Sequence, residues 1–349
     1  MTVSYRFLQN ADSGAIILRV LSLLGKIYGG MTALRNYLYD KGIFEVHDLG
    51  ARTISVGNIT TGGTGKTPLV AHIASTLADR GEKVCILTRG YGRHDESRRV
   101  LVSDGNAVLA DMPTAGDEPV ELANKLVGKA VIIADADRVG AAEWALRKFG
   151  VTVFVLDDAF QHRSAKRDVN IVCTDATDPF GGDELLPAGR LRERLSGLAR
   201  ADVVVITRVE QVEDISNLRS QIADLAPSAR ICASRTVIKG VTSSEDAAID
   251  ISTPLFAFCA IGNPSSFFSL LSNNGYKIAG SRAFRDHHRY TQEDITALQI
   301  AALQSGAVAL VTTAKDEVKL TGLEVELPRY VVEIGLEIES NEEFLAPLL

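Results

Sequence analysis

The stretch Thr53-Ile-Ser-Val-Gly-Asn-Ile-Thr-Thr-Gly-Gly-Thr-Gly-Lys-Thr67 joins a short apolar run to a glycine-rich loop, and a helical pattern begins where the loop ends. Glycines let backbone N–H groups turn inward around phosphate oxygens, and the start of the following helix adds a positive dipole. Lys66 is then placed to reach the β- and γ-phosphates of a nucleotide, and the Thr67 hydroxyl to ligate Mg²⁺. The spacing matches G-x-x-x-x-G-K-[ST] except that Thr60 stands at its first position.

We therefore predict a phosphate-binding loop, with a glycine-rich turn before an ordinary helix as the alternative. The predicted loop consists of Thr60, Thr61, Gly62, Gly63, Thr64, Gly65, Lys66 and Thr67.

Outward from this loop, short β-branched runs alternate with longer helical stretches. Each run is apolar throughout, which is typical of strands buried on both faces of a mostly parallel sheet. This pattern predicts an α/β fold of the P-loop NTPase type, with a doubly wound, mostly parallel sheet and ligands at the carboxyl ends of its strands. The predicted strands are residues 53–56, 83–87, 130–134, 151–156, 170–173 and 202–206, and the clearest helices are residues 67–80 and 139–149.

A second, smaller α/β domain follows from about residue 237, because strand and helix patterns resume there after the run 236–252, which we interpret as connecting structure. We predict four segments, with boundaries that are good to a few residues. They are an N-terminal helical segment (1–50), a P-loop domain (51–236), the smaller domain (237–335) and a C-terminal tail with a short helix (336–349).

Composition excludes several classes of protein. The net charge of −7 argues against a nucleic-acid-binding protein that depends on a global positive field. The four cysteines form no CxxC pair, so that neither a disulfide framework nor a structural zinc site is expected. Residues 15–28 are densely apolar but are interrupted by Arg19 and Lys26. The spacing predicts an amphipathic helix, and the residues on its apolar face are Ile17, Val20, Leu21, Leu24 and Tyr28. That helix either packs into the core or lies in a membrane interface.

Two carboxylates, Asp157 and Asp158, end the apolar run 153–156. A strand buried in a parallel sheet delivers its last residues to the edge at which the P-loop lies, and a carboxylate there can hold Mg²⁺ directly or through water. Two solvated aspartates in a turn are the alternative. We predict a magnesium site.

Three further polar clusters, residues 88–93, 116–119 and 135–138, follow strand ends and are expected to face the same cleft. Asp117 opens a helix in Gly-Asp-Glu-Pro, for which the residues alone favour a plain N-cap. The adjacent pair His287 and His288 suits proton transfer or phosphate contact better than chelation of one ion, and a polar loop at a helix start is equally compatible. Two more polar clusters lie at residues 160–163 and 185–193.

Taken together, these motifs resemble those of the tetraacyldisaccharide 4'-kinase family, in the family's order and over about residues 3–320. The resemblance rests on the P-loop in its Gly57-Asn58…Pro68 context, Arg89-Gly-Tyr-Gly92, Gly116-Asp-Glu-Pro119, Asp157-Asp-Ala-Phe-Gln-His-Arg163, Leu185-Leu-Pro-Ala-Gly189 and Asp286-His287.

The resemblance implies that ATP and Mg²⁺ are used to phosphorylate a tetraacylated glucosamine disaccharide 1-phosphate at the cytoplasmic face of an inner membrane. It implies a peripheral association of the N-terminal helix with that leaflet, which favours the interfacial interpretation of residues 15–28. No nucleic-acid partner is expected, and we expect the protein to act as a monomer.

The resemblance also assigns roles to individual residues. It implies a proton-accepting dyad of Asp117 and His287, with the choice between His287 and His288 left open. It implies phosphate and metal contacts for Lys66, Thr67, Asp157, Asp158 and Glu193. Contacts to the lipid substrate are implied for Arg89, Tyr91 and Arg138, and a position near the transferred phosphate for Gln161 and His162.

Two rival functions compete with this interpretation. A P-loop GTPase switch keeps a guanine-reading [NT]-K-x-D after its sixth strand, and Thr207-Arg-Val-Glu210 matches that pattern poorly. A membrane-binding protein whose attachment is controlled by nucleotide would show no phosphorylated lipid product. Neither rival explains the whole series of motifs.

Overall fold

The structure is a computed structural model that describes residues 11–243, 249–286 and 288–349, without the side chains of residues 11–18. His287, one of the two predicted catalytic histidines, lies outside the described residues.

The predicted P-loop domain contains eight strands of which the first, β1, is central. The strands are β1 (Arg52–Gly57), β2 (Val84–Thr88), β3 (Val100–Asp104), β4 (Ala130–Ala134), β5 (Val153–Asp157), β6 (Val169–Asp175), β7 (Val203–Thr207) and β8 (Arg230–Ser243). They lie in the order β8-β7-β6-β1-β5-β2-β4-β3, and all neighbours are parallel except β3, which is antiparallel to β4 at the edge. This arrangement confirms the predicted doubly wound α/β fold, although the edge strand β3 was not predicted.

The described residues form ten α-helices, in addition to short 3₁₀ turns. They are α1 (Ala11–Asp40), α2 (Lys66–Asp79), α3 (Met112–Ala115), α4 (Asp117–Lys125), α5 (Arg138–Phe149), α6 (Ser216–Leu225), α7 (Pro264–Asn273), α8 (Gln292–Gln304), α9 (Ala314–Glu317) and α10 (Asn341–Leu345). Over the described ranges, no helix combines the length and the apolar character that crossing a membrane requires.

Alternating side chains of the buried strands feed a core on each face of the first sheet. In β5, for example, Val153 and Val155 join one buried cluster with α2, whereas Phe154 and Leu156 join another with α5. Because both faces are covered, the strands are apolar throughout, and only their ends are available for polar chemistry.

The second unit continues the same sheet instead of forming a separate one. Its strands are β9 (Leu255–Cys259), β10 (Ile278–Ala283), β11 (Ala309–Thr313) and β12 (Arg329–Ile338). Together with the first eight they form a twelve-stranded sheet among the described residues, in which β12 pairs antiparallel with β8. We therefore define the first unit as β1–β8 with its helices and the second unit as β9–β12 with its helices.

The strand β8 spans the predicted boundary at residues 236/237. Its first residues pair with β7, and Ser234 to Ser243 pair with β12. The prediction that residues 236–252 are connecting structure was wrong for 236–243. The stretch contains Lys239 and Gly240, and it becomes a strand because β12 supplies hydrogen-bonding partners.

The C-terminal segment packs on the first unit. Phe344, Leu345 and Leu348 are buried in the same cluster as the apolar face of α2. Thus the chain returns from the second unit through β12 and anchors beside the helix that follows the P-loop.

The N-terminal helix α1 is longer than predicted, and it turns a different face to the protein. Gly25 and Gly29 are buried, and a Cβ added to Gly25 would lie 3.1 Å from the Leu185 carbonyl oxygen. Tyr28 lies on this packed face, where its hydroxyl donates a hydrogen bond to the Arg192 carbonyl oxygen. Of the residues predicted to share a face with Tyr28, Val20 and Leu24 are exposed, and the surface on which Leu185 packs is formed by the two glycines.

Candidate active site

The P-loop joins the end of β1 to the start of α2. Gly65 precedes α2 in a left-handed conformation (φ 76°), and no side chain accepts a hydrogen bond from the first turn of the helix. The loop is fixed from behind, since Asn58 donates to the Thr64 hydroxyl (2.9 Å) and the Thr207 hydroxyl donates to the Thr64 carbonyl oxygen (3.0 Å). A fixed loop in front of an uncapped helix start is the arrangement that binds phosphate.

Asp157 and Asp158 lie at the end of β5, next to β1, and differ in their surroundings. Asp157 is buried and accepts a hydrogen bond from the Thr88 hydroxyl (3.2 Å). Burial and then the charge of Asp158 raise the pKa of Asp157. Burial opposes the charge of Asp158 too, but Lys66 and Arg192 outweigh it and lower the pKa of Asp158 to about 2.

Asp158 is the carboxylate that joins the P-loop lysine to the rest of the site. Lys66 Nζ lies 3.4 Å from its Oδ1, and Arg192 Nη1 lies 2.9 Å from both of its oxygens. Two cations thus share one carboxylate at the place where nucleotide phosphates would bring further negative charge. The sequence alone assigns Arg192 no role, because it follows no predicted strand end and the rule that ligands collect at strand ends does not select it.

Asp117 is the first residue of α4, and the plain N-cap interpretation is wrong. The capping position is occupied by Gly116, and the helix start receives no side-chain cap. Gly116 has φ 94°, and a Cβ there would lie 2.9 Å from the Tyr91 carbonyl oxygen, so that only glycine lets the two loops approach. Asp117 is only 8% exposed. Its Oδ1 accepts a hydrogen bond from the Glu118 amide (3.1 Å), so the carboxylate is held at the start of α4 from the first helical position and not from the cap position.

Glu118 stands beside Asp117 and was not predicted as a site residue. Burial, followed by the charge of Asp157, raises the pKa of Glu118 to about 7, although Lys315 and Lys66 oppose this shift. A carboxyl group that titrates near neutrality inside a cleft is a candidate for proton handling.

Lys315, on α9 of the second unit, reaches the Asp117 carboxylate of the first. Its Nζ lies 3.5 Å from Asp117 Oδ2 and 3.5 Å from Asp286 Oδ1. A Cβ added to Gly262 would lie 3.3 Å from Asp286 Oδ2 and 3.7 Å from the Gly63 amide nitrogen. The loops of the second unit therefore lie directly against the P-loop and Asp117.

Of the two predicted histidines, His288 is described. Its Nε2 lies 2.9 Å from Asp294 Oδ2, and its ring stacks on Phe284 with centroids 4.8 Å apart. Asp294 is also the third residue of α8 and forms a capping box with Thr291. His288 is thus held at the start of that helix, and the dyad of Asp117 with His287 stays a prediction.

The three residues predicted to contact the lipid substrate differ in exposure. Arg138 is buried and donates a hydrogen bond to the Asp157 carbonyl oxygen at 2.6 Å, while its Nε is buried with no partner among the described residues. Arg89 and Tyr91 are exposed on the loop after β2. One guanidinium is therefore fixed beside Asp157, and two exposed side chains lie at the mouth of the cleft.

Gln161 and His162 follow β5 closely. The Gln161 amide donates to the Asn58 carbonyl oxygen (2.9 Å) and to Glu193 Oε1 (3.0 Å). Burial and then Arg138 lower the pKa of His162 to about 4, so that its imidazole is neutral at pH 7. Gln161 therefore links the base of the P-loop to Glu193.

Glu193, which was predicted to ligate a metal, is 1% exposed and surrounded by donors. Besides Gln161, it accepts hydrogen bonds from Asn36 on α1 (2.9 Å) and from Arg200 (2.7 Å) through Oε2. Three donors thus use both oxygens in this structure, and the metal role of Glu193 stays a prediction.

The remaining residues fit a nucleotide with its magnesium ion. No cluster of three or more His, Cys, Asp or Glu side chains that could hold a metal occurs in the described part of the chain. Mg²⁺ is commonly held by one or two carboxylates together with substrate phosphates, and does not need such a cluster. Asp157, with a single hydroxyl donor recorded on its buried carboxylate, and Thr67 at the start of α2 suit this mode of binding.

A P-loop before an uncapped helix, paired carboxylates on the neighbouring strand and a second unit packed across the cleft define a P-loop phosphotransferase. Comparison with known proteins agrees: residues 17–349 match the family described as tetraacyldisaccharide-1-P 4'-kinase. The chain belongs to this family. Membership supports a kinase and not the GTPase switch considered above.

Individual relatives are similar over most of their length. The chain is 37% identical over 323 residues to a tetraacyldisaccharide 4'-kinase of Halothermothrix orenii, covering 88% of this chain and 84% of that one. It is 39% identical over 310 residues to one of Geobacter metallireducens, covering 87% and 89%. Among solved structures, LpxK from Aquifex aeolicus in complex with ATP is 30% identical, with a TM-score of 0.76 and coverage of 95% and 98%.

Sequence reasoning missed Lys315 and Glu118, although a signal existed for each. Lys315 comes two residues after β11, a parallel strand, and the rule that ligands collect at strand ends applies to the second unit as well. Glu118 neighbours Asp117, but only its partial burial near the charge of Asp157 makes its pKa unusual.

Proposed function

We propose that the protein is a kinase that transfers the γ-phosphate of ATP to the 4'-hydroxyl of a tetraacylated glucosamine disaccharide 1-phosphate, giving lipid IVA. The observation that supports this most is the meeting of Lys66, the Asp157–Asp158 pair and Asp117 at one edge of the sheet. The choice of substrate is supported by the relatives, which are named tetraacyldisaccharide 4'-kinase and match this chain over most of their length.

The nucleotide would be held by the P-loop. ATP supplies the phosphoryl group, and bound Mg²⁺ neutralises part of its charge. Lys66 and the uncapped N–H groups of α2 would bind the phosphates, and Thr67 with Asp157 or Asp158 would hold the metal. Arg192, which donates to both oxygens of Asp158, would keep that carboxylate oriented when Lys66 binds the phosphates.

The acceptor hydroxyl needs a base, because a sugar hydroxyl is a poor nucleophile at neutral pH. The Asp117 carboxylate would accept this proton, with His287 as its partner. Arg138, Arg89 and Tyr91 would orient the disaccharide, since the exposed pair lies at the mouth of the cleft and Arg138 beside Asp157.

The experiment that tests the activity is an incubation with γ-labelled ATP, Mg²⁺ and the tetraacyl disaccharide 1-phosphate in detergent micelles. We expect label in a lipid-soluble bisphosphate. Hydrolysis of ATP without labelled lipid would contradict the proposal and favour a nucleotide-controlled switch, in which case GTP would be tested next.

The role of Asp117 has its own prediction. Replacing a general base typically costs about 10²–10⁴-fold in turnover, so Asp117→Ala should lower kcat by that range. The affinity for ATP, measured by titration with a fluorescent nucleotide, should change little because Asp117 lies outside the P-loop. An equal loss of nucleotide affinity would show that Asp117 is a binding residue.

We further propose that the protein works as a monomer and lies peripherally on the cytoplasmic face of the inner membrane, with α1 in the interface. Glycines occupy the packed face of α1, whereas the opposite face is apolar and exposed. The exposed apolar residues are Val20, Leu23, Leu24, Ile27, Met31 and Leu34. Such a surface, with Arg19 and Lys26 at its side, suits an anionic lipid interface.

The membrane proposal is tested by flotation with anionic phospholipid vesicles. Ile27→Glu combined with Met31→Glu should lower the vesicle-bound fraction by about tenfold, because two apolar side chains no longer enter the interface. Ile300→Glu, on the exposed side of α8, is the control. Equal binding by the α1 variant and the control, with unchanged Tm, would contradict an interfacial helix.

A further inference from the structure

We propose that Lys315 is a positioning residue that holds the Asp117 carboxylate in place from across the cleft. The proposal rests on the function proposed above, in which Asp117 accepts the proton of the sugar hydroxyl. It adds a residue of the second unit to the site, so that both units determine the position of the Asp117 carboxylate.

The geometry places one cation between two carboxylates. Lys315 Nζ is 3.5 Å from Asp117 Oδ2 on α4 and 3.5 Å from Asp286 Oδ1 after β10. The lysine side chain is 15% exposed and that of Asp117 is 10% exposed. A pair so little exposed is weakly screened by solvent, so that its geometry is energetically significant.

The charge of Lys315 is maintained by its neighbours. Burial lowers the pKa of Lys315, but the carboxylates of Asp117, Asp286 and Glu118 outweigh burial, and the net shift is upward. The lysine is therefore a cation at neutral pH. A cation beside a carboxylate favours its ionised form, which is the form that accepts a proton.

The short helix that carries Lys315 is itself anchored. The next residue, Asp316, is fully buried and accepts hydrogen bonds from the Ala260 amide (3.0 Å) and from Lys319 (2.9 Å). The Thr313 hydroxyl donates to Asp316 (2.8 Å) and accepts from its amide (3.1 Å). These contacts fix α9 to the ends of β9 and β11, which gives Lys315 a rigid base.

The contact crosses from one unit to the other. Asp117 belongs to the first unit, whereas Lys315 and Asp286 belong to the second. The carboxylate therefore has this counter-charge only when the two units are together. The site in which the hydroxyl loses its proton is thus complete only when the cleft is formed.

A double-mutant cycle in the micelle assay tests whether Lys315 acts through Asp117. Misplacing a catalytic group by about 1 Å can cost 10²-fold, and we expect Lys315→Met to lower kcat by about 30-fold with little change in the KM for ATP. In an Asp117→Asn background the same change should cost less than about twofold, because the group it positions is already gone. Lys315→Arg, which retains the charge, should recover most of the lost turnover.

The controls separate positioning from folding. Lys277→Met, at an exposed lysine of the second unit, should leave kcat and Tm unchanged. Losses that multiply in the double variant, or a raised KM for ATP, would overturn the inference by showing that Lys315 contacts a substrate or serves folding alone. Failure of the proposed function is distinct, since the wild-type chain would then transfer no label, and the inference would fall with it.

Discussion

Lys66 and Lys315 occupy similar local settings in the two units, yet their surroundings differ. Each stands in the first turn of a helix that follows a parallel strand, α2 after β1 and α9 after β11. The start of α2 has no side-chain cap, whereas the start of α9 is capped by Thr313. An uncapped helix start leaves N–H groups for a phosphate, and a capped one does not. Lys66 is therefore suited to a ligand and Lys315 to carboxylates of the protein.

The largest effect is expected where the ligand-facing lysine is removed. Lys66→Ala should lower phosphoryl transfer by at least about 10³-fold, because charge neutralisation and positioning provide most of the acceleration in this chemistry. The fold should persist, since Asp158 keeps its contact with Arg192. The measurement is label transfer, with Tm as the control for folding. Turnover within tenfold of the wild type would contradict the ligand-binding role of Lys66 that distinguishes it from Lys315.

The charges of both lysines act on the pKa of Glu118, and the shifted pKa predicts that stability depends on pH. Its pKa rises from 4.5 to about 7 in the folded protein, so that the folded state keeps a proton which the unfolded state has already lost between these values. Stability from this group is therefore full below about pH 4.5 and declines as pH rises to about 7, by up to about 3 kcal/mol.

Glu118→Gln removes this titration. Without nucleotide, the Tm of the variant relative to the wild type should increase from pH 5 to pH 8. Glu342→Gln, on the exposed start of α10, serves as the control for loss of a carboxylate. Two Tm curves that run parallel over this range would show that Glu118 is already ionised in the folded protein.

The smallest effect concerns the cap of α9. Thr313→Ala should lower the free energy of unfolding by about 1 kcal/mol, because the amide of Asp316 loses its acceptor. Urea denaturation measures the change, and Thr313→Ser should restore most of it by keeping the hydroxyl. If serine were as destabilising as alanine, packing of the threonine methyl and not capping would be the cause.

Those parts of the site that depend on local spacing were predictable from the sequence. The P-loop and the Asp157–Asp158 pair follow directly from strands whose apolar pattern is continuous, and parallel strands bring their ends to one edge. The strand β8 was not predictable in this way, because its residues 236–243 become a strand through pairing with β12. Likewise the packed face of α1 depends on Leu185, which lies far away in the chain.

The sequence by itself thus determined the fold class, the phosphate loop and the acidic strand end, since each is specified by residues close together in the chain. Only the tertiary structure decided that Lys315 reaches Asp117, that Glu193 is surrounded by three donors and that the half-buried Glu118 carboxyl lies near the charge of Asp157. The physical reason is that burial and ion pairing depend on which distant segments pack together, and no local pattern records that choice.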